Sequence, residues 1–163
     1  MKKVVKVVLS AVMAAVMAVG MLGCSIPGIK AKRDINLEEM HKIKGTLISI
    51  TRQSAGVMSL EEFEQSSSTI SVSYAGNAYI PDPINSMGLK MSDEDFLAVY
   101  EFCLDSYENG TFNGYYEDVC DGTTYTFTYY DEAGEAHLLY SGYIYNNEAL
   151  NDIINIITAY SID

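Results

Sequence analysis

The chain has 163 residues, 48% of them hydrophobic, and a formal net charge of −12. This length suits one domain with its own core and leaves little room for a second. Residues 91–163 hold 15 of the 22 acidic residues and contain no Lys or Arg. Such charge repels phosphate backbones and argues against nucleic acid as a partner. The negative charge can attract a cationic protein or a divalent cation. Alternatively, it only keeps the protein soluble.

The N-terminus has the layout of a leader for export. Residues 7–23 carry no charge and are preceded by Lys2, Lys3 and Lys6. A basic start followed by an apolar run is typical of a secretory signal peptide. The run is also close to the ~20 residues that a spanning helix needs, so an uncleaved membrane anchor is the alternative.

A cysteine closes the apolar run. Met21-Leu22-Gly23-Cys24 resembles the lipobox of bacterial lipoproteins, with Gly23 as the small residue before the cut and departures at Met21 and Leu22. The resemblance is to the small lipoproteins of Gram-positive bacteria that have no assigned activity. It implies a diacylglyceryl group on the Cys24 thiol, and lipid chains hold a protein on a bilayer without spanning it. The expected location is therefore the outer face of the cell membrane.

The resemblance also implies three parts of the chain. Residues 1–23 are the signal peptide, residues 24–35 a lipidated tether and residues 36–163 a single domain. The tether contains the breaker pair Pro27-Gly28 and three basic residues, which anionic lipids attract. A plain linker has the same composition and stays open as the alternative.

The first half of the domain predicts two strands. Apolar and polar residues alternate in 45–53 and in 68–76, which is the pattern of half-buried strands. Short helices are predicted at 36–43 and 59–63. Residues 77–91 contain two prolines and predict an irregular surface loop.

A helix is predicted after this loop. Ser92 and the acidic residues that follow it form a capping pattern, and Asn109-Gly110 ends the helix. Its apolar residues recur at helical spacing: Phe96, Tyr100, Cys103, Leu104 and Tyr107. A further strand is predicted at 112–119.

The clearest element is a hairpin. Residues 123–130 alternate threonine with aromatic residues, residues 131–134 form a turn and residues 136–145 return. Matching the apolar residues of both strands places Phe127 opposite Leu138 on the inner face. The outer face then carries the residues of a possible binding surface: His137, Leu139, Tyr143 and Tyr145.

The chain ends with another predicted helix. Asn146 and Asn147 are good N-caps, and an apolar stripe follows from Leu150 to Tyr160. The order is strand-strand-helix, twice. The expected fold is therefore α+β, with an antiparallel sheet of four or five strands and two helices on one face.

Two cysteines lie within the domain, Cys103 and Cys120. Outside the cytoplasm such a pair favours a disulfide. Cys103 also belongs to the apolar stripe of its helix, which favours a buried thiol instead. Both interpretations remain open.

An acidic cluster is the weak candidate for a metal site. Glu117, Asp118 and Asp121 stand close together before a glycine, but their spacing does not fit the EF-hand loop. An exposed acidic turn is the alternative. Neither His41 nor His137 lies in a catalytic motif, so no catalytic residue and no cofactor are predicted.

The hypothesis with most support is a non-catalytic binding or interaction module. Exposed aromatic residues on the hairpin suit sugar rings or a protein partner, although tyrosine also simply favours strands. The expected partners are an envelope protein, a peptide or a glycan, besides the membrane. The alternative function is a small envelope hydrolase built around His137 or the acidic cluster.

Overall fold

The computed structural model describes four stretches of the chain. They are residues 33–54, 67–81, 88–118 and 122–160. From Asn36 onward, these stretches belong to one compact unit. The predicted leader, Cys24, the predicted short helix at 59–63, Cys120 and Asp121 lie outside the described residues.

Six antiparallel strands form one sheet. They are β1 (Thr46–Ser54), β2 (Ser67–Ser73), β3 (Asn77–Tyr79), β4 (Leu89–Lys90), β5 (Thr123–Tyr130) and β6 (Ala136–Tyr143). Their order across the sheet is β4-β3-β2-β1-β5-β6. The predicted α+β class with an antiparallel sheet is confirmed, but the described residues form six strands rather than four or five. Strands β3 and β4 lie in the predicted loop and are too short to show an alternating pattern.

In the described stretches, three helices accompany the sheet: α1 (Leu37–Met40), α2 (Asp93–Asn109) and α3 (Glu148–Thr158). The side chain of Ser92 accepts a hydrogen bond from a backbone N–H of α2, and Gly110 ends that helix in the left-handed conformation at φ 56°. Asn147 caps α3 in the same way as Ser92. The predicted strand at 112–119 is wrong, because residues 112–118 form turns and loop. Within the described residues, no helix is long and apolar enough to cross a membrane.

The core lies between α2, α3 and one face of the sheet. The ring centroid of Phe102 in α2 is 6.1 Å from that of Phe127 in β5, and Tyr107 lies 5.7 Å from Tyr129. Helix α3 buries Leu150, Ile153 and Ile157. On the sheet, buried residues at alternate strand positions face the helices: Ile48, Ile50, Val72, Phe127 and Tyr129. Removing this apolar surface from water is the main force that holds the layers together.

A β-bulge changes the register of the hairpin. Phe127 lies opposite Tyr140 and Thr128 opposite Leu138, which leaves Leu139 as an extra residue. The predicted pairing of Phe127 with Leu138 is therefore wrong. A bulge places two consecutive side chains against the core: Leu139 is 7% exposed and Tyr140 2%, whereas Leu138 is 65% exposed.

Candidate functional site

The sheet face opposite the helices consists almost entirely of hydroxyl-bearing side chains. Paired positions form three rows across β2, β1, β5 and β6. The rows are Ser71, Ser49, Thr128 and Leu138; Thr69, Thr51, Thr126 and Ser141; and Ser67, Gln53, Thr124 and Tyr143. We call this surface the hydroxyl face.

Cross-strand hydrogen bonds join the side chains of the middle row. The hydroxyl oxygens of Thr51 and Thr69 are 2.9 Å apart, and those of Thr126 and Ser141 are 3.2 Å apart. Neighbouring strands stand about 4.8 Å apart, and alternate residues share a face, so the hydroxyls form a regular lattice. Each hydroxyl both donates and accepts hydrogen bonds.

Most positions of the hydroxyl face are at least partly exposed to solvent among the described residues. Ser67, Leu138 and Ser141 are exposed, and the others are half-buried, apart from Ser71 at 2% exposure. Small polar side chains in the middle of a sheet are shielded by their neighbours in the strands, so half-burial is expected there even without a covering layer. The face is thus accessible to a partner.

The hydroxyl face carries no charge, because acidic residues are excluded from the sheet. None of the six strands contains Asp or Glu, although the chain has 22. In β1, β2, β5 and β6 the only Lys or Arg is Arg52, which alternates with the hydroxyl positions and therefore belongs to the other face. The acidic charge of the described residues lies on helices and loops.

The four residues of the predicted binding surface do not lie together. His137 is opposite Tyr129 on the face toward the helices, with its ring centroid 4.3 Å from that of Tyr107. Leu139 is buried in the bulge, Tyr143 belongs to the hydroxyl face, and Tyr145 lies beyond β6 with 74% exposure. The prediction of one shared outer face is wrong, because the bulge reverses the alternation.

His137 closes the hairpin turn. Its Nε2 is 3.0 Å from Oδ2 of Asp131, whose Oδ1 accepts the backbone N–H groups of Ala133 and Glu135. These bonds, the one to His137 first, hold the pKa of Asp131 below its usual value. In the described part of the chain, no hydroxyl or thiol is hydrogen-bonded to His137.

Asp131, Glu135 and His137 also form a group of potential metal ligands. One ligand atom from each lies within 4.8 Å of the others. The sequence did not single out this group, because the predicted register turned His137 to the opposite face. Asp131 is hydrogen-bonded to His137 and to two backbone N–H groups of the turn. These bonds explain why the three residues lie together without a metal ion.

Glu117 organises the start of α3. Its carboxylate accepts backbone N–H groups of Tyr145, Asn146 and Asn147, and the hydroxyl of Tyr115. The bond from Tyr115, followed by the backbone donors, holds the pKa of Glu117 below its usual value of 4.5. Glu117 is thus an anion at a helix N-terminus, while Asp118 beside it is exposed.

We expect Glu117→Gln to lower the melting temperature at neutral pH. The folded-state pKa is lowered, so the ionised carboxylate stabilises the fold above about pH 4.5, and this contribution is lost as the pH falls through the lowered pKa. The difference in melting temperature between wild type and variant should therefore shrink in acid. Thermal melts across the pH range measure it, with Glu132→Gln as the control; superimposable curves for Glu117→Gln and wild type contradict the assignment.

Cys103 is completely buried in α2. Burial raises the pKa of this thiol far above its ordinary value. Its proposed partner, Cys120, lies outside the described residues, so the disulfide stays a prediction.

No protein-family model, curated protein or solved structure matches this chain. Its function is therefore inferred from its own sequence and geometry.

Proposed function

We propose that the chain is a lipid-anchored, non-catalytic binding module on the outer face of a bacterial cell membrane. Its contact surface is the hydroxyl face, and its partner is a neutral glycan of the cell envelope. The lipobox-like residues before Cys24 support the anchor. The neutrality of the hydroxyl face supports the binding role.

A continuous uncharged face in a chain of net charge −12 is the observation that carries the proposal. A charged side chain resists removal from water, so a surface without charges costs less to cover. Removing water from Ser and Thr hydroxyls costs little when a partner forms hydrogen bonds that replace those of the water. The face is thus suited to being covered.

The chemistry of the face favours a glycan over a protein. A sugar presents hydroxyls that donate and accept, as do the side chains of the face. Tyr143 at the end of one row adds a ring on which a sugar can stack. A cationic protein would instead be attracted to the acidic helices and loops.

The test is co-sedimentation of the full-length protein with purified, insoluble envelope glycan. Thr126→Glu places a charge in the middle row, and we expect it to weaken retention about tenfold, the equivalent of ~1.4 kcal/mol in binding. Thr126→Ser keeps the hydroxyl and should retain binding.

Asn155→Glu is the matched control, because it adds the same charge at an exposed position of α3. We expect it to bind like the wild type. No sedimentation of the wild type, or equal sedimentation of Thr126→Glu and Asn155→Glu, refutes the proposal. Circular dichroism of each variant verifies that it is folded.

A further inference from the structure

A cleft lies between α3 and the helix-facing side of β1, β2 and β5. Its volume is about 260 Å³, slightly below the usual range of small-molecule pockets. Its walls are mostly apolar and include the side chains Ile50, Arg52, Ile70, Ile80, Tyr125 and Ile154. This cleft is on the opposite side of the sheet from the hydroxyl face.

The cleft exists because α2 covers only part of the sheet. Phe127 and Tyr129 contact this helix and are buried, whereas Tyr125, further along the same face of β5, is only half-buried. Ile70 is half-buried as well, and Ile80 is 48% exposed. Several large apolar side chains therefore meet at a site that the described helices leave open to solvent.

Arg52 gives the cleft a positive charge. It is the only Lys or Arg in the four long strands and is exposed, and among the described residues it has no hydrogen-bonding or ion-pair partner. Two other basic side chains are engaged: Lys42 bonds to Glu39, and Lys90 donates to the carbonyl of Ala75. No described residue therefore occupies the Arg52 guanidinium.

We propose that the cleft binds a small amphiphile with an apolar chain and a carboxylate head group. The head group pairs with the guanidinium of Arg52, whose planar fork of donors matches a carboxylate. The chain lies among the isoleucines and against Tyr125, which removes both apolar surfaces from water. A cationic amphiphile is rejected by the same arginine, and a neutral one lacks the pairing.

This proposal does not depend on the glycan partner. Thr69 of the hydroxyl face also lines the cleft, but the two substitutions that test the sites, at Thr126 and Arg52, lie on opposite faces of the sheet. Loss of glycan binding by Thr126→Glu and loss of amphiphile binding by an Arg52 variant are separate results.

The test is photoaffinity labelling of the full-length protein in lipid bilayers with a diazirine derivative of decanoate. Each probe partitions into the bilayer to the same extent whichever variant is present. Differences in labelling between variants therefore report on binding by the protein. We expect label in peptides that contain Ile70, Tyr125 or Ile154, suppressed by excess decanoate. The corresponding derivative of decanol should give about tenfold less label.

Arg52→Gln should reduce the decanoate label to the level of the decanol probe. Lys44→Gln removes an exposed cation elsewhere and should leave the label unchanged. Ile154→Trp fills the cleft with a larger apolar side chain and should abolish the label while Arg52 remains, and a thermal melt checks that this variant folds.

Equal labelling of wild type and Arg52→Gln overturns the proposal, as does equal labelling by the decanoate and decanol probes. Label scattered over the surface, or none in the cleft peptides, also overturns it. The last outcome includes the case in which another segment of this chain fills the cleft.

Discussion

Leu139→Ala is expected to lower the free energy of unfolding by about 2–5 kcal/mol, whereas Leu138→Ala should change it by no more than ~0.5 kcal/mol. The two leucines are neighbours in β6, but the bulge buries Leu139 and leaves Leu138 largely in water. Truncating the buried side chain removes apolar contacts and leaves a cavity. Urea unfolding of the full-length protein, followed by circular dichroism, measures both variants.

This pair tests the register directly, since each register predicts the opposite ranking. With Phe127 opposite Leu138, the costly variant would be Leu138→Ala. Leu139→Met conserves most of the side-chain volume and should cost less than about 1.5 kcal/mol. Equal losses for the two alanine variants would show that the bulge is not formed.

Cys24→Ala is expected to abolish incorporation of a radiolabelled fatty acid into the protein in growing cells. The label on the wild type would sit on a diacylglyceryl group, which requires the thiol of Cys24. We expect complete loss, because no other residue of the lipobox-like sequence offers a thiol. Gel autoradiography of the immunoprecipitated protein measures the label.

Cys103→Ala is the control for this experiment. Its thiol is completely buried and its pKa is raised, so it should contribute nothing to the label. An uncleaved anchor predicts a wild-type protein without label, and this result would refute the lipoprotein assignment. Label that persists in Cys24→Ala would place the lipid on a different residue.

Local signals in the sequence predicted the two long helices, α2 and α3, well. Ser92, Gly110 and Asn147 mark helix boundaries through bonds within a few residues, and the structure contains those boundaries. The hairpin was also correctly located, because its alternation extends over most of β5. Such features depend on residues close together in the chain and can therefore be predicted from the sequence alone.

Other features depend on distant residues and were missed. An alternating pattern assigns Leu138 and Leu139 to the correct faces only if the strand contains no extra residue. The bulge adds one residue and so shifts the alternation. Glu117 appeared as part of an acidic turn, but its role depends on N–H groups about 30 positions later, which only the fold brings near. The sequence alone gives Arg52 no role, because the neighbouring cleft is formed by three strands and α3.

Both borders of the sheet are poor templates for another β-strand. One border is β4, which has only two residues and offers few free backbone groups. The other is β6, where the extra residue at Leu139 interrupts the regular spacing of backbone donors and acceptors. Short and bulged borders are means by which proteins avoid edge-to-edge aggregation. These two borders thereby protect the chain from growing into an extended intermolecular sheet with its own copies.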